Sequence, residues 1–547
     1  MLNKKNFFFA VILSFLMTNL FAISQPWYDT LSTTKKNNFY EIQKSFQNYW
    51  KDKDHTQKGK GWKQFKRWEW FWEQRVYPSG EFPNLMQTYS EIRRQKAGIS
   101  NKTKDKLMTI GTWVNLGPTS SPGGYSGLGR LNVVRENPSN SNIIWVGSAS
   151  GGLWKSTNGG STWSTNTDEL ASIGITDIVF DPNNSNIMYI ATGDGDAGDT
   201  YSIGLLKSTD GGQTWNTTGL TSNTYQNILI SRVLIHPTNS NIILACGNLG
   251  IYKSSDAGIN WFQASTPTFK DMEFKPNNPN IIYASGTSIY RSTNTGDSWT
   301  QLTNGLPTSG IQRIALSVTP ANNNYVYALM SNSSSGFLGL YRSTDGGDSW
   351  ASRSTTPNIL GWQQDGSDAG GQGWYDLCIA SNQTNAEEIY SGGVNIWKST
   401  NGGTNWTPAS DWTSSVHADH HDLWFVPGTN RLYSGNDGGI YRTTNGGTNW
   451  TWLGSGLITT QFYRLGLSST NSNLIIAGSQ DNGTKLKNGS NWSDVIGGDG
   501  MEAIIDHSNA NIMYGELYYG AIRKSIDGGV SFNSMTLPND NGSWVTP

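Results

Sequence analysis

Cysteine is nearly missing from this chain. There are two, Cys246 and Cys378, and both sit inside apolar, strand-like runs. Such surroundings predict buried free thiols rather than a disulfide framework. Histidine is almost as scarce, with six in 547 residues. Charge of one sign is missing too: 39 basic and 41 acidic side chains leave a net charge of −2. That balance speaks against a nucleic-acid partner, which would require a basic face. Apart from Phe7 to Phe21 the chain has no long apolar run, so no membrane span is expected in the mature protein.

The first 24 residues have the layout of a secretory signal. Lys4 and Lys5 give a charged start, Phe7 to Phe21 an apolar stretch, and Ala22-Ile-Ser24 small residues at a cleavage point. The expectation is export through the secretion machinery to the cell surface or the medium. Residues 25–108 then read as a basic, aromatic, helical segment. Phe39, Ile42, Phe46 and Tyr49 fall on one helical face, and Trp62, Phe65, Trp68, Trp72 and Val76 on another that ends at Pro78. Packing is the plainer reading of these aromatics, and a carbohydrate platform the sharper one. Lys51 to Lys60 reads as a solvated linker.

Glycine is abundant, at 63 residues, and much of it belongs to a repeated octet. Eight copies have the form Ser/Thr-x-Asp/Asn-x-Gly-x-x-Trp: they begin at Ser156, Ser208, Ser254, Ser292, Ser343, Ser399, Thr443 and Ser525, the last closing on Phe532. A worn copy runs from Lys485 to Trp492. A short Asp or Asn side chain bonds the amides that follow it and nucleates a turn, glycine supplies a positive φ, and the Trp buries a large ring between repeats. Asp and Asn each fill the third position in four of the eight good copies. Their interchange marks the octet as a hydrogen-bonded staple that does not depend on charge.

Each repeat has the same anatomy. In residues 174–215, Gly174 to Phe180 is a first strand and Asn186 to Ala191 a second. Ile203 to Lys207 is a third, and the octet turn leads into a fourth. Four strands in forty-odd residues make a propeller blade, and first strands are predicted at Leu131–Arg135, Arg232–Ile235, Asp271–Phe274, Arg313–Ser317, Tyr375–Ile379, Asp422–Val426, Arg464–Leu467 and Glu502–Ile505 as well. The fold class is therefore mostly β, with nine blades over residues 109–547. Gly542 to Pro547 resembles the start of another repeat, so a missing C-terminal part is expected.

The octet is similar to the Asp-box, or BNR repeat, and residues 113–547 resemble Asp-box β-propellers. That group includes sialidases, xyloglucan-cleaving glycosidases, the sortilin luminal domain and photosystem assembly factors. The resemblance implies one large ring of ten blades, as in sortilin, or a seven-bladed ring followed by part of a second, as in xyloglucanases. No Arg-Ile-Pro motif of the sialidase kind is present. A xyloglucanase-like enzyme carries a catalytic Asp in a first-blade loop of the form Thr-Asp-x-Gly-Gly. Here Gly147-Ser-Ala149-Ser-Gly151-Gly152 has Ala149 at that place, and Asp437, in Asn-Asp437-Gly-Gly-Ile-Tyr, has the matching context in a later blade.

Blade topology puts the octet turns on one face, and the loops before first strands and between second and third strands on the other. The second set of loops holds the unusual residues. His417, Asp419, His420 and His421 lead into one first strand, and Asp437 follows a hairpin later. Asp481, Asp499 and Glu502 come from the next two repeats, and Asp365, Asp368, Trp374 and Tyr375 from the preceding one. An earlier loop offers Asp194, Asp196 and Asp199. Three readings stand side by side. Paired carboxylates among Asp437, Asp419, Asp499 and Glu502 would suit glycoside hydrolysis, with Asp365, Asp368, Trp374, Tyr375, His417, His420 and Asp481 binding the substrate. Alternation of His417, Asp419 and His421 on an extended strand would suit a divalent metal, and the Asp-Gly loops would suit Ca²⁺. Turn capping alone is the third. The expected function is extracellular glycan recognition or glycoside hydrolysis, with polysaccharide as partner. The alternative is a sortilin-like scaffold for peptides or cell-surface proteins.

Overall fold

The computed structural model describes residues 26–36, 38–53, 62–82, 90, 94, 114–121, 126–221 and 228–535. The signal-like segment, most of the Lys51–Lys60 linker and Gly542 to Pro547 lie outside the described residues. The chain divides into two compact units, residues 1–109 and 110–547.

The first unit is helical: α1 (Pro26–Asp29), α2 (Thr33–Lys36), α3 (Phe39–Trp50) and α4 (Trp62–Val76). Asn38 caps α3, its side-chain oxygen accepting from the amides of Tyr40 and Glu41 at 3.0 and 3.3 Å. Phe39, Ile42 and Phe46 are buried as the spacing predicts, and Trp50 joins them while Tyr49 stays half-buried. Phe46 stacks on Phe65 with ring centroids 3.6 Å apart. The aromatics therefore pack the helices of this unit together.

Among the described residues, the second unit has 36 strands, β1 to β36 in chain order, paired as nine antiparallel sheets of four. The first strands of the sheets are β1 (Leu131–Asn137), β5 (Ile175–Asp181), β9 (Ile230–Ile235), β13 (Asp271–Phe274), β17 (Ile311–Val318), β21 (Cys378–Ser381), β25 (His420–Phe425), β29 (Phe462–Leu467) and β33 (Gly500–Ile505). The strands predicted from Arg232, Arg313, Asp422, Arg464 and Glu502 begin two residues earlier, and one strand begins later. The strand expected from Tyr375 begins only at Cys378, because the amides of Tyr375 and Asp376 both turn back to the carbonyl of Gln372.

These first strands pack side by side in sequence from β1 to β25, and β25 packs on β1. Seven blades thus close a propeller ring, and the ten-bladed ring is not the one that forms. Asp422 makes the closure: one carboxylate oxygen accepts from the Val134 amide at 2.8 Å and from Arg135 at 2.6 Å. The same device recurs around the ring, with Asp177 accepting from Val233 N and Asp271 from Leu316 N, both at 2.8 Å. Buried second-strand tyrosines tie blades at the other end. Tyr189 and Tyr283 donate to the carbonyls of Ala257 and Gly346, inside the octet turns of the following blades. The last two blades pack on each other through Ile476, Leu486, Ala503, Ile505 and Met513.

Each octet turn closes on itself. In the first, the amides of Gly160 and Thr162 reach Ser156 Oγ and Asn158 Oδ1 at 2.9 Å each. Where Asp stands instead, as at Asp256, the same bonds form to Asn260 N and Gly258 N. The two residue types are therefore interchangeable in geometry.

Candidate functional site

The loop ends opposite the octet turns meet over the ring axis. The Asn436-Asp437-Gly438 turn is locked there first. Gly438 N donates to Asn436 Oδ1 at 3.0 Å, Asn436 Nδ2 to the His417 carbonyl at 3.1 Å, and Asn482 Nδ2, from the eighth blade, to the Asp437 carbonyl at 2.9 Å. A methyl group on Gly438 would lie 2.4 Å from the His417 Cβ, so only glycine lets these two loops interlock.

His421 is the hub. Its Nδ1 lies 3.0 Å from Asp196 Oδ2 and its Nε2 2.9 Å from Asp437 Oδ1. Both partners are carboxylates and only accept, so the ring donates from both nitrogens and carries a positive charge. Burial opposes that charge, as does Arg130, yet the bonds to Asp196 and Asp437 outweigh them and raise its pKa. Asp437 also accepts from Tyr375 OH at 2.7 Å, and Arg130 Nε is 3.9 Å away. Burial would lift the Asp437 carboxyl, but His421 and Arg130 hold it at about 2. Arg130, itself buried, further pairs with Asp194 and with Asp199 at 3.4 Å, and lies over the Tyr375 ring.

A second group of carboxylates lies beside this one with less compensation. Ligand oxygens of Asp419, Asp437 and Asp481 lie within 4.8 Å of one another. Asp419 accepts a single side-chain bond, from Gln372 Nε2 at 2.9 Å. Burial and the neighbouring Asp437 push it up to about 7. Asp481 is raised well above the carboxylate range by burial and by Asp499 and Asp437. Asp499 is raised by burial, and its Oδ1 takes the Asp481 amide at 2.7 Å. Behind Asp419 sits Asp376, fully buried, with no donor on either oxygen and its carboxyl within hydrogen-bonding reach of Asp419. Asp419 and Asp481 both adopt positive φ, 63° and 54°.

The other residues singled out in the sequence fall as follows. Trp374 is 40% exposed beside Tyr375. Asp365 and Asp368 stay within their own loop, capping the amides of Ser367 and of Trp362 and Gln363. Glu502 is half-exposed and faces Arg464 at 3.5 Å. His420 points into its blade, bonded to Ser434 Oγ at 2.7 Å, and burial drives its pKa to about 3. His417 has its two ring nitrogens 3.2 and 3.0 Å from the carbonyls of Ala418 and Asp481. The expected metal set of His417, Asp419 and His421 does not assemble, because the left-handed Asp419 and a bulge between His420 and Asp422 break the alternation on which it rested. Among the described residues, Asp419, Asp437 and Asp481 form the group that could hold a metal.

Sequence reasoning missed the partners that come from far along the chain. Arg130 immediately precedes β1, Gln372 and Asp376 precede β21, and Arg313 on β17 pairs with Asp196 at 2.9 Å. Their places at channel strands and in an entry loop are legible in the sequence, but nothing local marks what they pair with. A half-open channel of about 850 Å³ runs along the first strands of the ring, lined among others by Asp196, Lys270, Arg313 and His421.

No family profile matches the chain. A protein named "Probable oligoxyloglucan-reducing end-specific xyloglucanase", from Neosartorya fischeri, is 37% identical over 100 residues, 17% of this chain and 11% of that protein. Xyloglucanase Xgh74A of Acetivibrio thermocellus is 30% identical over 191 residues, 34% of this chain and 20% of that one. The chain therefore matches a fifth or less of the length of these curated relatives. Among solved structures, an ancestral GH74 enzyme superposes with a TM-score of 0.57 at 16% identity, over 77% of this chain and 64% of that one. The GH74 xyloglucanase from Xanthomonas campestris gives 0.50 at 15% identity, over 77% and 82%. This likeness shows that the β-propeller fold is shared.

Proposed function

We propose that the chain handles polysaccharide at the mouth of the seven-bladed ring, outside the cell after export. The observation that carries this reading is the convergence of Asp376, Asp419, Asp437, Asp481 and Asp499 beside an exposed Trp374. An exposed indole offers a face for a sugar ring, and carboxylates accept from its hydroxyls. The partial similarity to xyloglucanases points to the same class of ligand.

Cleavage of the glycan is a second reading, favoured by the split between neighbouring carboxyls. Asp437 is kept ionised by His421 and Arg130, while Asp419, which belongs to no ion pair among the described residues, is pushed up to about 7 by burial and by Asp437, which outweigh the pull of His421. An acid and a base with separated pKa values are what glycoside hydrolysis uses. Ala149, buried at the first-blade loop, supplies no carboxylate there, so the cleaving pair would be built differently from the xyloglucanase pattern.

The test is a panel of polysaccharides assayed for binding and for released reducing ends, with the wild-type chain and the variants Trp374→Ala and Asp437→Asn. Binding lost in Trp374→Ala supports recognition. Reducing ends that vanish in Asp437→Asn support cleavage. A panel that neither binds nor is cut removes both readings and leaves a peptide or cell-surface protein as ligand. N-terminal sequencing of the chain recovered from the medium tests export, with Gln25 expected first.

A further inference from the structure

The carboxylates at the ring mouth outnumber the cations paired with them. Asp419, Asp437 and Asp481 bring ligand oxygens within 4.8 Å of one another. The two cations beside them, Arg130 and His421, face Asp437, and they are shared with Asp194, Asp196 and Asp199. No Lys or Arg is paired with Asp419 or Asp481 among the described residues. Asp376 adds a buried carboxyl with two partnerless oxygens, directed at Asp419. An ionisable group left this way in a low-dielectric interior is costly unless something of opposite charge arrives.

We propose that Asp419, Asp437 and Asp481 bind a divalent cation of the calcium class, with the unpartnered Asp376 behind Asp419 completing the acidic cage. The donor chemistry selects the class. Every available ligand is a carboxylate oxygen, while both imidazoles at this mouth are committed, His417 to backbone carbonyls and His421 to Asp196 and Asp437. Oxygen-only sets suit hard cations over zinc or copper. Coordination preference selects within the class: calcium accepts about six to eight oxygens in flexible geometry, whereas magnesium holds to an octahedron, keeps several waters and rarely sits in an all-protein cage. The three aspartates come from three loops, the one before β25, the one after the second strand of that blade, and the matching loop of the eighth blade. A cation there would fasten the eighth blade to the closed ring.

This inference goes beyond the glycan reading and is measured without any glycan. A cation that coordinates Asp419 takes the place of its proton, so binding is compatible with recognition and rules out Asp419 as the acid of a cleavage reaction.

The experiment uses the full chain stripped with a chelator. Calcium is titrated calorimetrically at neutral pH, with magnesium and manganese in parallel, and terbium luminescence reports locally because Trp374 and Tyr375 lie beside the site. One calcium per chain is expected, with a higher melting temperature and sensitised terbium emission. Asp481→Asn should weaken calcium at least tenfold and lose the emission. Asp419→Asn is a second variant should the first fold poorly, and circular dichroism shows which of them is folded. No heat, no melting shift and no emission with the wild-type chain overturns the proposal. So does undiminished binding in both folded variants. Polysaccharide binding by a chain that takes no cation would overturn this inference alone and leave the glycan reading standing.

Discussion

Asp422 Oδ2 accepts from the Val134 amide at 2.8 Å, across the seam where the last blade of the ring meets the first. Arg135 reaches the same oxygen at 2.6 Å and extends to Asp177 at 3.3 Å. This carboxylate, with the apolar packing of Leu131 and Val134 against Val426 and Tyr433, holds a seam that the chain itself does not bridge.

Asp422→Ala should therefore loosen ring closure. It leaves the Val134 amide buried without its acceptor and takes from the buried Arg135 one of its two carboxylates, at a cost of about 3 to 5 kcal/mol. A fall in the urea midpoint is expected, together with faster amide exchange in β1 and β25 than in β13.

Arg130→Met should be comparably destabilising. It strips the buried cation from Asp194, Asp199 and Asp437 at once, and a broken buried charge cluster costs about 3 to 5 kcal/mol. Unfolding by denaturant measures it. A second substitution, Asp194→Asn, should restore part of the loss, because the two residues share one network.

Asp256→Asn tests the octet turn by pH. The Asp256 carboxyl, bonded to Asn260 and Ser254, is lowered from 3.8 to about 2. The folded value lies below the free one, so the carboxylate contributes fully above about pH 4, and that contribution fades as pH falls toward 2. At neutral pH the variant should match or fall slightly below the wild type in melting temperature. Below about pH 3 the difference should shrink or reverse. A constant difference from pH 7 to pH 2 would contradict the assignment.

Trp374→Ala should leave folding intact, since the indole is 40% exposed. Its expected effect is a loss of glycan affinity of at least tenfold, about 1.4 kcal/mol. Binding isotherms on whichever polysaccharide binds the wild type decide it.

Much of this architecture is legible in the chain without coordinates. The octets mark the turn between third and fourth strands by local bonding alone, as at Asn158 and Asp256, so their positions count blades directly. Short apolar runs bounded by turn residues, such as Ile187 to Ala191, specify buried strands by their length. The acidic loops were legible as a group, since the same ruler puts Asp419, Asp437, Asp481 and Asp499 at one end of their blades. The roles within the group were not. His417 and His420 look like His421 in the sequence, yet one lies against carbonyls, one enters the blade, and the third bridges Asp196 and Asp437.

The sequence by itself determined the repeat, the strand order and the face on which polar loops gather, because each depends on interactions between residues a few positions apart. Only the tertiary structure decided that the ring closes at seven, that Arg130 and Asp196 join His421 and Asp437, and that Asp376 stands unpartnered behind Asp419. Those facts depend on which blade meets which, and on how burial and neighbouring charge act on side chains that chain position keeps far apart.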